Sequence, residues 1–477
     1  MFFGWHGFCV TKKRITLFSF IIIKEGNMEL VSNYGIISLI PVTVVITTAV
    51  ISRRTVEPLI LGALVGYAIL YKASFFTEFL YGFTTIISEN GWFILVFGLY
   101  GIVIVLLEKS GGALGFGDFG AKVAKTRASS LLITWVLGIL VFIDDYLNNL
   151  GVGTAMRNIT DKHKVARQYL AFVVNSTGAA VCVLVPMSSW AILMVSIYDE
   201  LGVQVDGSSF TAYVHTIPFM FYAWAAVLFI PFLATGLVPL WGPMKKAQLR
   251  SNEGNLFPED SKVKQISGYE DVKKTSMWNF IVPMLALIAV TLYTNDILIG
   301  MGVGFVVCIF LYIPQKIMTM GELCEHSVEG FKSMVLCTGI VLSAFLLQRA
   351  NGELGLTEYV ISVAEPVINA KLLPVIAFII CSAIASATGS FWGTMTIASP
   401  ILIPLAATLG ADTILVGGAI VSAGAFGSHT CFFGDAVTLA SAVTGITNTD
   451  YAKTALPIIA APTVVALILF TVFGFII

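Results

Sequence analysis

Long apolar runs separated by short polar breaks fill the sequence from about residue 34 to its end. A helix needs roughly 20 mostly apolar residues to cross a bilayer, whereas membrane strands alternate apolar and polar positions. The runs predict about ten transmembrane helices, over residues 34–51, 56–71, 91–107, 165–195, 216–241, 277–293, 297–314, 332–348, 413–443 and 454–477. Two more apolar segments, about 129–156 and 371–406, contain polar breaks. The pattern predicts an all-α polytopic membrane protein.

The composition excludes a soluble globular protein. Of the 477 residues, 57% are apolar and 12% are charged, and the mean hydropathy is +0.90. Soluble domains hold roughly 45–50% apolar and about 25% charged residues. The net charge is −1, and the basic residues are spread over loops. We therefore expect a lipid bilayer as partner and no nucleic acid.

The N-terminus resembles an incomplete signal peptide. Three basic residues, 12–14, precede an apolar run over 15–23, which is too short to cross a membrane. We interpret residues 1–27 as an upstream extension without function, with translation starting at Met28.

Loop charges predict the orientation of the helices, because Lys and Arg favour the cytoplasmic side. Basic residues at 53–54, 109–127 and 157–167 are all predicted inside. The last two groups flank segment 129–156, so both its ends are cytoplasmic, yet two crossings would need roughly 40 residues. This segment is predicted to be a re-entrant hairpin.

The remaining loops place the second segment on the opposite side. Loop 198–215 carries acidic residues without Lys or Arg, whereas 243–275 holds seven basic residues. Connector 349–370 is then external, so segment 371–406 is predicted to enter as a second re-entrant hairpin from outside. The predicted organisation is a first half over 28–242, a cytoplasmic linker over 243–276 and a second half over 277–477.

The sequence also contains an internal repeat. Residues 106–156 align with 346–396 without a gap, and Gly153-Thr154 falls on Gly393-Thr394. With the predicted orientations, the two copies are inverted relative to each other. Inverted repeats whose broken helices form the binding site are the plan of many secondary transporters. The chain is therefore a transporter candidate.

The first hairpin contains the most unusual polar residues. Asp144 and Asp145 are adjacent carboxylates in an apolar run, and Asn148 and Asn149 follow. Carboxylates at membrane depth usually face a cavity and serve an ion or proton path. Because adjacent helical positions point about 100° apart, we expect Asp145 to face the cavity and Asp144 to hold a structural partner. A purely structural ion pair or helix cap is the alternative.

The second hairpin tip is uncharged but rich in hydroxyl groups. Its candidate binding residues are Ser386, Thr388, Gly389, Ser390, Trp392 and Thr394. Hard cations prefer oxygen ligands, and half-helix N-termini can hold an anionic group. Close helix packing explains a similar composition equally well. If sodium binds, its predicted ligands are Asp145, Asn148, Thr388 and Ser390.

Each hairpin is followed by a helix with polar interruptions, at 175–178 and 186–190 in the first half and at 422–435 in the second. The candidate residues there are Asn175, Ser176, Ser188, Ser189, Ser428, His429 and Asp435. Asp435 is a further intramembrane carboxylate. Histidine titrates near neutral pH, so His429 is either a proton carrier or a hydrogen-bonded structural residue.

These motifs resemble the NhaC-type Na⁺/H⁺ antiporter family of the ion transporter superfamily. The resemblance rests on residues 142–164, 181–190 and 392–395 and extends over nearly all of the chain from about residue 30. It implies inverted repeats, ion sites near the hairpin tips, elevator-like movement and a homodimer. We expect a cation-coupled carrier with Na⁺ or H⁺ as coupling ion, no cofactor, and a multi-pass location in the plasma membrane, the bacterial inner membrane.

Two departures from the family pattern open a second possibility. The family commonly has an aspartate at the position of Asn175, and a Gly-Asp-His run where this chain has Gly427-Ser428-His429. Losing two carboxylates weakens the case for a Na⁺/H⁺ exchanger. A Na⁺- or H⁺-coupled amino acid or organic carboxylate carrier on the same fold is the alternative, with the segment 432–434 shaping a pocket or simply repacking the helix.

Two other classes fit less well. Residues 115–118 match the Gly-x-Gly-Asp pattern of intramembrane aspartyl proteases. However, Asp118 lies in a predicted connector, and no Pro-Ala-Leu motif is present. A channel is a third option, but paired hairpins with polar tips suit an occluded site better than a continuous pore. We therefore expect a transporter and not an enzyme.

Overall fold

A computed structural model describes residues 34–52, 56–89, 91–112, 114–115, 123–258, 272–294, 296–364, 369–389, 391–432 and 434–477. The predicted N-terminal extension, Asp118, Ser390 and Phe433 lie outside these residues. The described residues form helices and no β-strand, apart from an isolated bridge between Val205 and Ser208. The prediction of an all-helical chain is confirmed for this part of the molecule.

The first half contains twelve described α-helices. They are α1 (Leu39–Ser52), α2 (Val56–Tyr71), α3 (Phe75–Glu89), α4 (Gly91–Lys109), α5 (Arg127–Leu140), α6 (Asp145–Lys162), α7 (Arg167–Thr177), α8 (Ala179–Leu184), α9 (Ser189–Glu200), α10 (Ser209–Thr216), α11 (Phe221–Thr235) and α12 (Gly242–Asn252). The last of these, α12, lies in the predicted linker, so part of that linker is folded.

The described second half contains ten. They are α13 (Trp278–Thr294), α14 (Ile297–Tyr312), α15 (Met320–Ser333), α16 (Val335–Glu353), α17 (Leu356–Ala364), α18 (Leu373–Thr388), α19 (Phe391–Leu409), α20 (Thr413–Thr430), α21 (Asp435–Thr444) and α22 (Asn448–Ile476).

Several helical stretches are long and apolar enough to cross a membrane, so the chain is a multi-pass membrane protein. Within the described residues they number seven, or eight if α10 and α11, bent by 52°, form one span. The predicted spans at α1, α4, α13 and α14 are not among the seven, and α1, α13 and α14 have only 14 to 17 residues. The seven do include Ala370–Thr388 and Phe391–Leu409, which were predicted to form the second hairpin and are each long enough to cross alone. The lengths of these two stretches fit two crossings as well as a re-entrant hairpin, so the second hairpin stays a prediction.

Helices α3 and α15 were not predicted because their apolar residues cover only one face. Helix α3 buries Phe79, Gly82 and Ile86. Helix α15 crosses α4 at Gly330, where a Cβ atom would lie 2.6 Å from Ile102 Cα. Such close crossings require small residues. Each of these helices precedes an apolar helix, α4 or α16, in the corresponding position of its half.

The helix ends do not follow the register of the predicted repeat. Helix α4 is followed by Gly111 with φ +68°, and α16 by Gly355 with φ +71°, 244 residues later. The predicted alignment instead used an offset of 240 residues. An offset of four residues is about one helical turn, which preserves the apolar pattern and hides the shift.

The hairpins are related by a larger offset. Helix α6 begins at Asp145 and α19 at Phe391, 246 residues later. Gly153 is therefore the ninth residue of its helix, whereas Gly393 is the third residue of its own. The matched Gly-Thr pairs occupy different places in the two hairpins.

The helices pack in two groups. Helices α1 to α4 pack with α13 to α16 through the pairs α2–α16, α4–α14 and α4–α15. In the second group α6 and α7 pack against α21, α18 against α20, and α11 against α22. The helical breaks at 141–144, 178, 185–188, 389 and 431–432 all lie in the second group. Non-helical backbone at membrane depth requires burial in protein or a wet cavity, so these breaks are where a site is expected.

Candidate functional site

Asp144 is the N-cap of α6 and both of its carboxylate oxygens are engaged. Its Oδ1 accepts hydrogen bonds from Tyr146 N at 2.9 Å and Leu147 N at 3.3 Å. Its Oδ2 accepts one from Ser189 Oγ at 3.1 Å. Aspartate is a preferred N-cap because it satisfies amides that the helix leaves free. Asp144 thus fixes the start of α6 and ties it to α9.

Asp145 retains more capacity to bind a ligand. It is only 5% exposed, and Trp190 Nε1 donates to its Oδ1 at 3.3 Å. Its own backbone amide also donates to the carboxylate. A buried carboxylate needs a charged or polar partner, and Asp145 has fewer hydrogen bonds than Asp144, so it is the better placed of the two to bind a ligand.

Asp435, from the second repeat, approaches the same place. It begins α21, and its Oδ2 accepts a hydrogen bond from the Tyr146 hydroxyl. The carboxylates of Asp144, Asp145 and Asp435 are close enough to repel one another. The N-termini of α6 and α21 stabilise negative charge, and a bound cation would relieve the mutual repulsion. The first break therefore has the chemistry of a cation site.

Asn148 holds the first hairpin together. Its Nδ2 donates to three carbonyl groups, Gly138 O at 2.6 Å, Val141 O at 2.9 Å and Thr177 O at 3.2 Å. These bonds join α6 to the end of α5 and to the end of α7. Its Oδ1 is buried and has no partner in the described part of the chain.

Asn149 is fully buried, yet neither its Oδ1 nor its Nδ2 has a partner among the described residues. It lies against the helix break at Gly178, where a Cβ atom would be 3.2 Å from Asn149 Nδ2. Asn175 Oδ1 and Ser428 Oγ are also buried without a described partner. Leaving a buried polar atom unsatisfied is costly. These oxygens are the neutral groups that a cation could use.

Asn175 also connects three helices. Its Nδ2 donates to Tyr451 Oη at 2.8 Å and to Ser428 O at 3.4 Å. The Tyr451 hydroxyl donates in turn to His429 O at 3.2 Å. The end of α7 is thereby fixed to the end of α20 and to α22.

His429 has both ring nitrogens occupied. Ser176 Oγ lies 2.7 Å from His429 Nε2 and donates its own proton to Phe172 O at 2.6 Å. The ring nitrogen must then be the donor to Ser176, which leaves Nδ1 to accept from Tyr222 Oη at 2.8 Å. The ring also stacks on Phe172 at 5.5 Å. Of the two roles predicted for His429, this arrangement favours the structural one.

Ser188 serves as the N-cap of α9. Its Oγ accepts from Ala191 N at 3.1 Å and donates to Cys182 O at 2.5 Å. Both bonds stay within the broken helix, so its hydroxyl is used to shape the break. Its neighbour Ser189 binds Asp144, as described above.

The second tip is a turn between α18 and α19. Helix α18 ends at Thr388, and Gly389 has φ +68°, a conformation that favours glycine. Thr388 Oγ1 donates to Ile384 O at 2.8 Å, within its own helix. Ser386 Oγ lies 3.0 Å from Thr430 Oγ1 of α20. Thr394, a predicted ligand, is buried in α19.

Aromatic rings join the two tips. Trp190, which donates to Asp145, stacks on Phe391 at 6.3 Å and contacts Trp392 edge-on at 6.4 Å. Of the four predicted sodium ligands, Asp145 and Asn148 lie at the first tip. The remaining two are Thr388, bonded within α18, and Ser390, which is outside the described residues.

Sequence reasoning missed the aromatic partners of the site: Tyr146, Trp190, Phe391, Tyr222 and Tyr451. Tyr146 and Trp190 lie inside the motifs that were singled out, so proximity to Asp145 and Ser189 was an available signal. Tyr222 and Tyr451 are remote in sequence from the residues they bind, and no local pattern identifies them.

Comparison with known proteins decides the family. The sequence profile of the Na⁺/H⁺ antiporter family matches residues 181–475. The chain belongs to this family. The predicted resemblance is therefore confirmed at the level of Na⁺/H⁺ antiporters, and the protein is a cation-coupled transporter.

Two related sequences differ in how much of this antiporter they match. An uncharacterized protein of Haemophilus influenzae is 26% identical over 492 aligned positions, covering 94% of this chain and 93% of its own. A malate-2H⁺/Na⁺-lactate antiporter of Bacillus subtilis is 33% identical over 108 residues, which is 23% of each chain.

Two solved transporters share the fold at low identity. The YdaH transporter of Alcanivorax borkumensis has a TM-score of 0.55 and 13% identity, with 85% of this chain and 90% of that chain covered. MtrF of Neisseria gonorrhoeae, of a class of antimetabolite efflux pumps, has a TM-score of 0.54 and 14% identity, with 91% and 95% covered. The family and both structural neighbours are transporters, and none supports the aspartyl protease alternative.

Proposed function

We propose that this protein is an NhaC-type antiporter that exchanges Na⁺ for H⁺ at the first helix break. The observation that carries this proposal is the convergence of Asp145 and Asp435 on one place, where Tyr146 bonds to Asp435 and the two carboxylates repel each other. Family membership supports the choice of cations.

Competition for Asp145 provides the exchange. Oxygen is the donor that hard cations prefer, and Asp145 Oδ2 with the amide oxygens of Asn149 and Asn175 supplies one charged and two neutral donors. A proton on Asp145 removes the charge that holds Na⁺. Only one of the two ions occupies the carboxylate at a time, so loading one on one side releases the other.

We propose that the second helix group moves as an elevator-like unit against the first, in a homodimer in the plasma membrane. The ten predicted spans and both re-entrant hairpins belong to this proposal. Helix α4 contacts both tips: the Phe97 ring lies 5.8 Å from Trp392, and the Tyr100 hydroxyl donates to Ile143 O. These contacts would be broken and replaced when the second helix group moves against the first.

A second candidate is exchange of an organic acid for Na⁺ or H⁺. Two observations favour it: neutral Asn175 and Ser428 occupy positions where the resembled family carries acids, and a 108-residue stretch is similar to a malate-lactate antiporter. Two fewer negative charges would reduce repulsion of a carboxylate.

Flux in proteoliposomes tests both candidates. The purified protein is reconstituted with a lumenal pH dye, and Na⁺ is added outside, first alone and then with malate, lactate or an amino acid. Na⁺-evoked pH change without an organic solute supports Na⁺/H⁺ exchange. A response that requires a carboxylate supports the second candidate. Flux of any solute without coupling to either cation would overturn both.

A further inference from the structure

A polar cavity of about 470 Å³ lies away from the helix breaks. It is formed where the first turns of α7 and α22 meet α12. Its polar lining consists of Gln168, Lys246, Arg250, Glu253, Asp450 and Lys453. None of these residues belongs to the proposed transport site.

The lining is rich in hydrogen-bond donors. Lys246 and Lys453 form no ion pair with any described residue. Arg250 donates from NH2 to Gln168 Oε1 at 3.3 Å and from Nε to Asn255 O at 3.4 Å, and both acceptors are neutral. Gln168 is only 2% exposed.

The lining also contains two acidic residues, which offset part of its positive charge. The Asp450 carboxylate caps α22, where it accepts from Thr447 Oγ1 at 2.7 Å and Thr447 N at 3.3 Å. Glu253, at the end of α12, is the other acid. Three cationic side chains against two carboxylates leave the lining with an excess of one positive charge, next to the buried amide of Gln168.

Helix α12 is fixed firmly enough to form a wall. Gln248 Nε2 donates to Lys164 O at 2.8 Å, and Gln248 Oε1 accepts from Ala166 N at 3.2 Å. Ser251 Oγ also donates to Lys164 O at 2.8 Å. These bonds hold the buried face of α12 on the α6–α7 turn, while Lys246 and Arg250 line the cavity.

The cavity lies at the depth of lipid headgroups. The candidate spans 167–200 and 448–476 both begin beside it. Basic residues surround it at 157–167 and 245–250, which places this edge at the cytoplasmic leaflet. That leaflet carries anionic lipids, and basic pockets between membrane helices on this side suit their headgroups.

We infer that this cavity binds a phosphate-bearing anion, supplied in the membrane by the headgroup of an anionic lipid. Lys246 and Lys453 approach the phosphate from α12 and α22, and Gln168 donates from α7. The bound group links the linker helix to two helices of the group that carries the transport site. Anionic lipid should therefore stabilise this edge of the protein.

The test uses the full chain in nanodiscs of phosphatidylcholine, alone or mixed with phosphatidylglycerol. Native mass spectrometry counts retained lipids, and thermal unfolding reports stabilisation. The double variant K246Q/K453Q is compared with K162Q/K245Q, which loses the same charge on the same side but outside the cavity. Thermal unfolding in pure phosphatidylcholine verifies that both variants are folded.

We expect K246Q/K453Q to bind phosphatidylglycerol about tenfold more weakly or worse, and K162Q/K245Q to bind like the wild type. If inorganic phosphate alone stabilises the wild type but not K246Q/K453Q, the site is an anion site with a soluble source. Equal binding of phosphatidylglycerol and phosphate by wild type and K246Q/K453Q would overturn the inference.

Discussion

The helix breaks that precede α6 and α19 carry opposite kinds of side chain. At the start of α6 stand Asp145 and Tyr146, and 246 residues later the start of α19 carries Phe391 and Trp392. The first break holds buried charge, and the second holds aromatic rings. Trp190 touches both, as a hydrogen-bond donor to Asp145 and a stacking partner of Phe391.

Both breaks end one helix and begin another, but their side chains differ. The positive end of a helix faces each break, but only the first provides a carboxylate to exploit it. Aromatic rings that follow the second break pack against Trp190 at the first. We interpret the pair as one cation site and its aromatic cover rather than as two equal sites.

Substitution of Asp145 is expected to cause the largest loss of transport. D145N removes the charge that both Na⁺ and H⁺ require, and we expect coupled proton flux in proteoliposomes to fall by about 100-fold or more. D144N is the matched control, because asparagine also caps helices. It should keep at least about a third of the flux. Equal loss in both variants would contradict the separate roles of the two carboxylates.

Asn148 and Asn149 are predicted to have different roles within the first break. N149A removes an amide without described bonds, so it should weaken apparent Na⁺ affinity by about tenfold while leaving thermal stability unchanged. N148A removes three hydrogen bonds to carbonyls and should lower stability by about 1–3 kcal/mol. Na⁺ titration of flux and thermal unfolding measure the two effects. A destabilised N149A would argue for a structural amide.

The cap at Asp144 predicts a smaller effect, on stability rather than transport. D144A leaves the amides of Tyr146 and Leu147 without an acceptor and should cost about 1 kcal/mol. D144N should restore most of that loss. The midpoints of thermal unfolding in one detergent decide this, and a D144A protein as stable as wild type would show that the cap contributes little.

The second break should be the least sensitive. T388A removes a hydroxyl that bonds to Ile384 O in its own helix, and a single neutral hydrogen bond contributes only about 1 kcal/mol. We expect its Na⁺ affinity to change by less than about threefold. A loss as large as that of D145N would show that the second tip supplies a ligand.

The helical class, most apolar helices and the positions of the breaks were predictable, because hydrophobic runs and clustered polar residues report burial directly. Helices α3 and α15 were missed because one apolar face is too weak a signal in a membrane protein. The ends of α4 and α16 depart from the predicted repeat register by four residues, because a shift of about one turn preserves the apolar pattern. The different roles of Asp144 and Asp145 were proposed from helical geometry alone.

What the sequence left open depends on contacts between distant segments. The two roles considered for His429 required knowledge of Tyr222 and Ser176 around its ring. The sequence predicted only a cytoplasmic linker over 243–276, whereas α12 folds against the α6–α7 turn through Gln248 and Ser251. Neither packing is encoded in local spacing.

Direct sodium binding is the most immediate test of the claim that the first break is the cation site. Binding of radioactive Na⁺ to the purified protein would be measured for wild type, D145N, N149A and T388A. We predict saturable binding by wild type and T388A, with loss in D145N and a weakened affinity in N149A. Wild-type binding by D145N and N149A would contradict the assignment and move the search to the second break.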